Sequence, residues 1–167
     1  MKPFERVAII GTGILGTQIA MLAANAGYKV KIYDPKKHAF IETYNKVQND
    51  LRMKGMSPFI PWEDWGKCKQ SVQQSVSIDE VVNDAELVIE AVPENVELKN
   101  AIFKELGEKT HPKAILATNS SSIPVSRMET SSGRPEQCLN IHFYAPLYGA
   151  NMGTCAGHDE VRLVLED

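Results

Sequence analysis

The sequence predicts an α/β domain built on a doubly wound, mostly parallel β-sheet. Short, fully apolar runs at residues 7–10 and 87–89 are typical of parallel strands that are buried on both faces. Segments with helical periodicity alternate with such runs along the chain, as they do in α/β folds. A glycine-rich turn at residues 11–16 joins the first strand directly to the first helix, which is the start of a βαβ unit.

The elements of the first half follow from apolar spacing and from the residues that interrupt it. Gly27 ends the first helix as a C-cap, and Pro35 suits the first turn of the helix that follows the second strand. The predicted order is a strand at residues 7–10, a helix from residue 14 to Gly27, a strand at 29–33, a helix at 36–54 with Phe40, Tyr44, Val47 and Leu51 on its inner face, and a helix–helix connection at 55–66.

The second half continues the alternation with shorter strands. Pro112 lies just beyond a helix of clear periodicity, and residues 160–165 alternate in the manner of a strand that would extend the sheet edge. The predicted order is a helix at residues 70–74, strands at 76–77 and 87–89, a helix at 96–109, and strands at 114–118 and 139–142.

The composition disfavours several classes of function. The 167 residues carry a net charge of −3, which argues against a nucleic-acid partner. No apolar run is long enough to cross a bilayer, and the start of the chain lacks a secretory signal. Cys68, Cys138 and Cys155 are far apart, so neither a disulfide framework nor a cysteine-based metal site is expected. We therefore expect a cytoplasmic protein without a metal or a membrane partner.

The glycine-rich turn has the pattern GxGxxG where Rossmann dinucleotide-binding domains require it, after a strand and at the start of a helix. Gly11 permits the tight turn, Gly13 lets the backbone approach a pyrophosphate, and Gly16 lets the helix and the strand pack closely. The alternative is a glycine turn ahead of a surface helix. The residues of the turn that are expected to contact the cofactor are Gly11, Thr12, Gly13, Ile14, Leu15 and Gly16.

Asp34 ends the second strand about 20 residues beyond the glycines, where an acidic residue hydrogen-bonds the adenosine ribose. Its carboxylate would repel a 2′-phosphate, so NAD is favoured over NADP, although Lys36 and Lys37 could meet a phosphate. The alternative is a turn residue ahead of Pro35.

Two acidic residues and a lysine follow the strand at residues 87–89. Loops at the carboxyl ends of parallel strands form the ligand crevice, so Glu90, Glu94 and Lys99 could contact a ribose or the nicotinamide end. The alternative is a helix N-terminus that Glu94 and Glu97 stabilise, with Lys99 in solvent.

Hydroxyl groups and a histidine follow the last two strands. The hydroxyl groups of residues 118–122 could bind a substrate oxygen, or the segment could form a turn that caps the next helix. His142 is either a general base for an alcohol or a structural histidine. A serine hydrolase is disfavoured because the chain has no GxSxG motif. Trp62 and Trp65 are interpreted as packing for the helix connection.

Together these motifs resemble the NAD-dependent L-3-hydroxyacyl-CoA dehydrogenases, a family that includes the 3-hydroxybutyryl-CoA dehydrogenases. The resemblance covers about residues 5–148, and the helices around residues 36–66 are similar to the hairpin that this family inserts after its second strand. The motifs that carry the resemblance are the glycine turn, Asp34, residues 90–95 with Lys99, residues 119–122, and residues 140–144.

The resemblance implies reversible hydride transfer between NAD and C3 of an acyl-CoA substrate, a reaction of fatty acid metabolism. Ser121 would hydrogen-bond the 3-oxygen of the substrate, and His142 would be the general base. The inserted hairpin would contribute to the CoA site. The cofactor contacts outside the glycine turn would be Asp34, Val92, Glu94, Lys99 and Asn119.

The sequence departs from the family at its C-terminal end. Ala145 stands where the family has Asn, and Thr154 stands where it has a Glu that orients the catalytic His. From this departure we expect that the family's C-terminal all-α domain is absent. We therefore expect an NAD-binding domain at residues 1–150, with a helical insertion at about 36–70, and an atypical tail at residues 151–167. An apolar surface is expected around Phe143, Tyr144, Leu147 and Tyr148. We expect either a homo-oligomer or a tail that folds back to cover it.

Two other functions stay open at this point. One is an NAD-dependent dehydrogenase of a free hydroxy acid or sugar acid, and the other is an NAD-binding module with no turnover of its own. The inserted hairpin favours a CoA substrate, whereas the missing Glu and the missing helical domain favour the module.

Overall fold

The fold is a twisted sheet with helices on both faces, seen in a computed structural model that describes residues 4–55 and 60–143 and the backbone of a short strand at Leu163–Val164. In the described part of the chain, the strand order is β3-β2-β1-β4-β5-β6-β7. The strands are β1 (Arg6–Ile10), β2 (Lys29–Tyr33), β3 (Val72–Ser75), β4 (Leu87–Glu90), β5 (Ile115–Thr118), β6 (Cys138–Ile141) and β7 (Leu163–Val164).

The sheet is parallel from β3 to β6, and β7 pairs antiparallel with β6. This confirms the predicted doubly wound, mostly parallel fold. Of the strand expected at residues 160–165, Leu163–Val164 extends the sheet edge, and the other residues lie outside the described part of the chain. The chain order reverses between β1 and β4, the position where ligands bind in open α/β sheets. The helices are α1 (Ile14–Asn25), α2 (Ala39–Met53), α3 (Trp62–Ser71), α4 (Ile78–Val82) and α5 (Val96–Lys109).

Strand β1 contributes to two separate cores, which explains the unbroken apolar sequence of its residues 7–10. Val7 and Ile9 point into the layer that α1, α2 and α3 cover. Ala8 and Ile10 point into the opposite layer, which α4 and α5 cover. Successive side chains of a strand alternate between faces, so a strand covered on both sides has no polar position.

The inserted hairpin packs on the first layer through the predicted face of α2. Its inner side chains, Phe40, Tyr44, Val47 and Leu51, are buried as expected. Trp65 of α3 is also buried, and its ring centroid lies 5.8 Å from that of Tyr44. The packing interpretation is thus confirmed for Trp65. Trp62 stays partly exposed, with the guanidinium carbon of Arg52 5.0 Å from its ring centroid.

The segment after α3 differs from the sequence prediction. The helix predicted at residues 70–74 and the strand at 76–77 are wrong, because α3 ends at Ser71 and residues 72–75 form β3. Val72 pairs with Val30 of β2 in the parallel register. Backbone pairing to β2 outweighs the helix propensity of the two glutamines in this short strand, which has one buried apolar residue and too few positions to show a period.

Helix α4 is an element that the sequence analysis does not predict. The Ser77 side chain accepts a hydrogen bond from the Glu80 N–H, and Ile78, Val81 and Val82 are buried. Ser77 and Glu80 form the S-x-x-E pattern of a capping box, which is the signal that could have located the helix. Among the described residues, no helix is both long and apolar enough to cross a membrane.

Candidate functional site

The glycine turn closes the carboxyl end of β1 and packs against the end of β4. Gly11 has a φ of 96°, and its N–H donates to the carbonyl of Tyr33 at 2.9 Å. A Cβ on Gly16 would lie 2.1 Å from the Gly11 carbonyl oxygen, so helix and turn touch here. A Cβ on Gly13 would meet nothing within 4 Å. The backbone at Gly13 therefore faces open space that a ligand can occupy.

Helix α1 starts at this turn with unsatisfied backbone donors. Its N-cap, Gly13, provides no side-chain cap, and the first turn contains no acidic residue. The first N–H groups of a helix have no partner within the helix, and the helix dipole makes this end positive. The turn thus has the donors and the space that a pyrophosphate requires.

Asp34 is held at the end of β2 by three hydrogen bonds, two of which come from the glycine turn. Its Oδ2 accepts from the N–H and the hydroxyl of Thr12, each at 2.9 Å, and its Oδ1 accepts from the Lys36 N–H at 2.9 Å. The side chain of Thr12 is 1% exposed, so it acts on Asp34 instead of facing the cleft. The hydrogen bonds hold the carboxylate at the end of β2, beside the turn.

A buried ion pair lies at the end of β4. The ammonium of Lys99 is 2.7 Å from Oε1 and 2.9 Å from Oε2 of Glu90, and both side chains are almost completely buried. The alternative that places Lys99 in solvent is therefore wrong. Lys99 Nζ also lies 3.4 Å from Oε2 of Glu94, whose side chain is 39% exposed.

Glu94 joins this ion pair to the loop after β5. Its Oε1 accepts hydrogen bonds from the hydroxyl of Ser120, from the hydroxyl of Ser122 at 2.8 Å and from the Ser122 N–H at 3.3 Å. Partial burial raises the pKa of Glu94, but the two serine hydroxyls and the charge of Lys99 outweigh it and lower the pKa to about 2. Glu94 is thus an ionised acceptor that anchors both neighbours of Ser121.

The ends of β4, β5 and β6 enclose a cleft of about 270 Å³ beside the glycine turn. Most of its lining residues are expected site residues from four separate segments, which the fold brings together. The lining residues are Leu15, Ala91, Val92, Glu94, Lys99, Asn119, Ser121 and His142. Asp34 and the remaining residues of the glycine turn lie outside this cleft.

Residues 6–152 match the family model of the 3-hydroxyacyl-CoA dehydrogenase NAD-binding domain. The chain belongs to this family. It is 34% identical over 146 residues to a probable 3-hydroxybutyryl-CoA dehydrogenase of Deinococcus radiodurans, which covers 85% of the chain and 50% of that protein. The chain spans about half the length of the first curated relatives that it matches.

Solved structures of similar chains share the fold. A diketoreductase that acts on dicarbonyl compounds superposes with a TM-score of 0.78 at 32% identity, covering 89% of this chain and 53% of its own. The 3-hydroxybutyryl-CoA dehydrogenase of Escherichia coli gives a TM-score of 0.74 at 30% identity, covering 87% of this chain and 31% of its own. NAD is the cofactor of this domain family, and the open backbone at Gly13 and the donors of α1 fit its pyrophosphate.

Two hydrogen bonds between the ends of β5 and β6 were not evident from the sequence. The amide oxygen of Asn119 accepts a hydrogen bond from the Phe143 N–H at 2.7 Å and so fixes the backbone just after His142. Asn140 donates to the Ser120 carbonyl at 3.2 Å. Both bonds cross between β5 and β6, and no local pattern could indicate them because they depend on which strands are neighbours. Ala145 and Thr154, where the sequence departs from the family, lie outside the described residues.

Proposed function

We propose that this chain binds NAD along the carboxyl edge of its sheet and forms the cofactor half of an L-3-hydroxyacyl-CoA dehydrogenase. The observation that carries the proposal is the cleft that places Ser121 and His142 beside the end of β4 and the glycine turn. In this arrangement NAD would span two regions of the site. The pyrophosphate would lie on the glycine turn, and the adenosine ribose would lie beside it at Asp34. The nicotinamide end would then lie at Val92, Glu94, Lys99 and Asn119.

Ser121 and His142 follow adjacent parallel strands, β5 and β6, and so lie side by side at the cleft. In the proposed reaction the Ser121 hydroxyl donates a hydrogen bond to the 3-oxygen of the substrate. His142 accepts the proton of the 3-hydroxyl group, a role that typically contributes ~10²–10⁴-fold to the rate. NAD, when bound, accepts the hydride from C3.

The substrate that we propose is an acyl-CoA, with the hairpin of α2 and α3 contributing to its site. Arg52 and the exposed Lys54 lie at the end of α2, where they could meet anionic groups of a CoA.

We also propose that turnover by this chain alone is weak, because it spans about half of its relatives' length and Thr154 replaces the orienting Glu. We further propose that the NAD-binding domain ends near residue 150 and that the protein is cytoplasmic.

The test measures cofactor binding and turnover separately. Calorimetry should show tighter binding of NAD than of NADP, and tighter NADP binding would contradict the role of Asp34. Reduction of acetoacetyl-CoA, followed by NADH absorbance, should be slow and should be lost in His142→Ala. His111→Ala is the matched control, since His111 lies near the amino edge of the sheet. A fast rate that His142→Ala leaves unchanged would overturn both the base assignment and the weak turnover.

A second candidate function is the NAD-dependent reduction of a carbonyl compound, or oxidation of a free hydroxy acid or sugar acid, without CoA. The similarity to a diketoreductase favours it. Hydrogen exchange distinguishes the two candidates, because acetoacetyl-CoA should protect residues 36–54 and 62–71 if the hairpin holds CoA. Protection by a sugar acid alone would support the second candidate. Tight NADH binding with no turnover of either substrate class would identify a non-catalytic module.

A further inference from the structure

Glu90 is a completely buried carboxylate that the proposed reaction does not use. It ends β4, and its side chain has no exposed surface. Four hydrogen bonds satisfy its oxygens. Oε1 accepts from Lys99 Nζ and from the Val92 N–H, both at 2.7 Å. Oε2 accepts from Lys99 Nζ at 2.9 Å and from the Thr118 hydroxyl at 2.7 Å.

These partners come from three elements that meet at the cleft. Thr118 is the cross-strand neighbour of Glu90 on β5, Val92 lies in the loop after β4, and Lys99 belongs to α5. Transferring a carboxylate and an ammonium out of water is costly, and good geometry with full hydrogen bonding is needed to offset the cost. The pair therefore constrains the relative position of β4, β5 and α5 strongly.

The ion pair continues to the residues proposed to contact substrate and cofactor. Lys99 lies 3.4 Å from Glu94, which accepts hydrogen bonds from Ser120 and Ser122. Ser121 stands between these two serines and lines the cleft. A continuous path of polar contacts thus runs from Glu90 through Lys99 and Glu94 to the loop that carries Ser121.

We propose that Glu90 is a positioning residue that holds Lys99 and, through it, Glu94 and the Ser121 loop in place for the nicotinamide half of NAD. This inference rests on the proposed location of the nicotinamide at the cleft. Asp34 and the glycine turn have hydrogen bonds of their own that do not involve Glu90. Loss of Glu90 should therefore affect one half of the cofactor and leave the other half unaffected.

The experiment compares two ligands on the same variants. NADH spans both halves of the site, whereas ADP lacks the nicotinamide riboside and reports on the adenosine half alone. Glu90→Gln should weaken NADH binding roughly tenfold, which is about 1.4 kcal/mol, and should change ADP binding less than about twofold. The matched control is Glu86→Gln, because Glu86 immediately precedes the same strand and pairs with Arg6 at the opposite edge.

A second pair of variants covers the case in which Glu90→Gln fails to fold. Thr118→Val removes, at nearly constant shape, the hydroxyl that donates to Glu90 at 2.7 Å and accepts from the Ser120 N–H at 3.2 Å. Thr118→Ser retains this hydroxyl. Thr118→Val should weaken the binding of NADH but not that of ADP, and Thr118→Ser should bind NADH nearly as tightly as wild type does. Equal losses for NADH and ADP would overturn the positioning role, as would unchanged NADH affinity, because a general destabilisation of the fold affects both ligands alike. Failure of the unmodified chain to bind either ligand would instead overturn the proposed function.

Discussion

Gly13 and Gly16 belong to the same turn but have opposite surroundings. A Cβ on Gly16 would collide with the Gly11 carbonyl at 2.1 Å, whereas a Cβ on Gly13 would meet no atom within 4 Å. Gly13 also has a φ of −62°, which alanine adopts without strain. The requirement for glycine therefore comes from packing at Gly16, whereas at Gly13 it would come from a ligand.

We predict that Gly16→Ala lowers the free energy of unfolding by about 1–3 kcal/mol, the usual cost of an overpacked contact. Gly13→Ala should leave the unfolding free energy nearly unchanged and should weaken NAD binding. Urea denaturation and calorimetry on both variants measure the two effects. Unimpaired NAD binding by Gly13→Ala would show that the pyrophosphate does not lie on this backbone.

The lowered pKa of Glu94 should make the free energy of unfolding depend on pH. Its pKa is about 2 in the folded chain, against an ordinary value of 4.5. Between these values the unfolded chain binds a proton that the folded chain does not, so the contribution of Glu94 is complete above about pH 4.5 and is lost as the pH falls towards about 2. We predict that wild type is more stable than Glu94→Gln at pH 6 and that this difference shrinks by pH 2.5. Denaturation curves at both pH values test this, and a constant difference would contradict it.

Much of the candidate site was predictable because its residues follow buried strands at recognisable positions. Asp34, Ser121 and His142 each stand at or just after a strand end, where parallel sheets place their ligands. The hydrogen bonds and ion pairs that connect these residues were not predictable. The burial of Glu90 and Lys99 and the bond from Phe143 to Asn119 depend on which strands are neighbours, and nothing in the local sequence reports that.

At the scale of elements, helix α5 shows why some boundaries could be predicted well. It runs over Val96–Lys109, as predicted, because Asn95 caps its start and a proline lies just beyond its end. Gly107 inside this helix has no local explanation. A Cβ there would lie 1.9 Å from the Ser132 carbonyl oxygen, so a distant segment sets the requirement.

The cap of α5 gives a prediction for the whole element. The Asn95 side chain accepts a hydrogen bond from the Leu98 N–H at 2.8 Å. Asn95→Ala should lower the unfolding free energy by about 0.5–2 kcal/mol. Asn95→Ser should lower it much less, because the serine hydroxyl can accept the same hydrogen bond. Chemical denaturation of both variants checks this, and equal losses would rule out the cap as the cause.

At the scale of the whole molecule, large apolar side chains remain exposed in the described part of the chain. Met53 is 81% exposed, and Trp62, which belongs to the same inserted hairpin, is 37% exposed. Such surfaces tend to be covered by association. We predict a homo-oligomer, measured by light scattering across a concentration series. A monomer at all concentrations, with protease-sensitive residues 151–167, would contradict this prediction.

Because β1 packs into both cores, its register relative to the neighbouring strands is fixed on both faces of the sheet. Shifting a strand by one residue moves every side chain to the other face. In β1 such a slip would send Ala8 into the layer shaped around Val7 and Ile9, and would push the larger side chains into the opposite layer. One layer would then contain a void while the other would be overfilled. Misregistered folding intermediates at the centre of the sheet are therefore penalised on both faces at once, which leaves little competition for the native pairing.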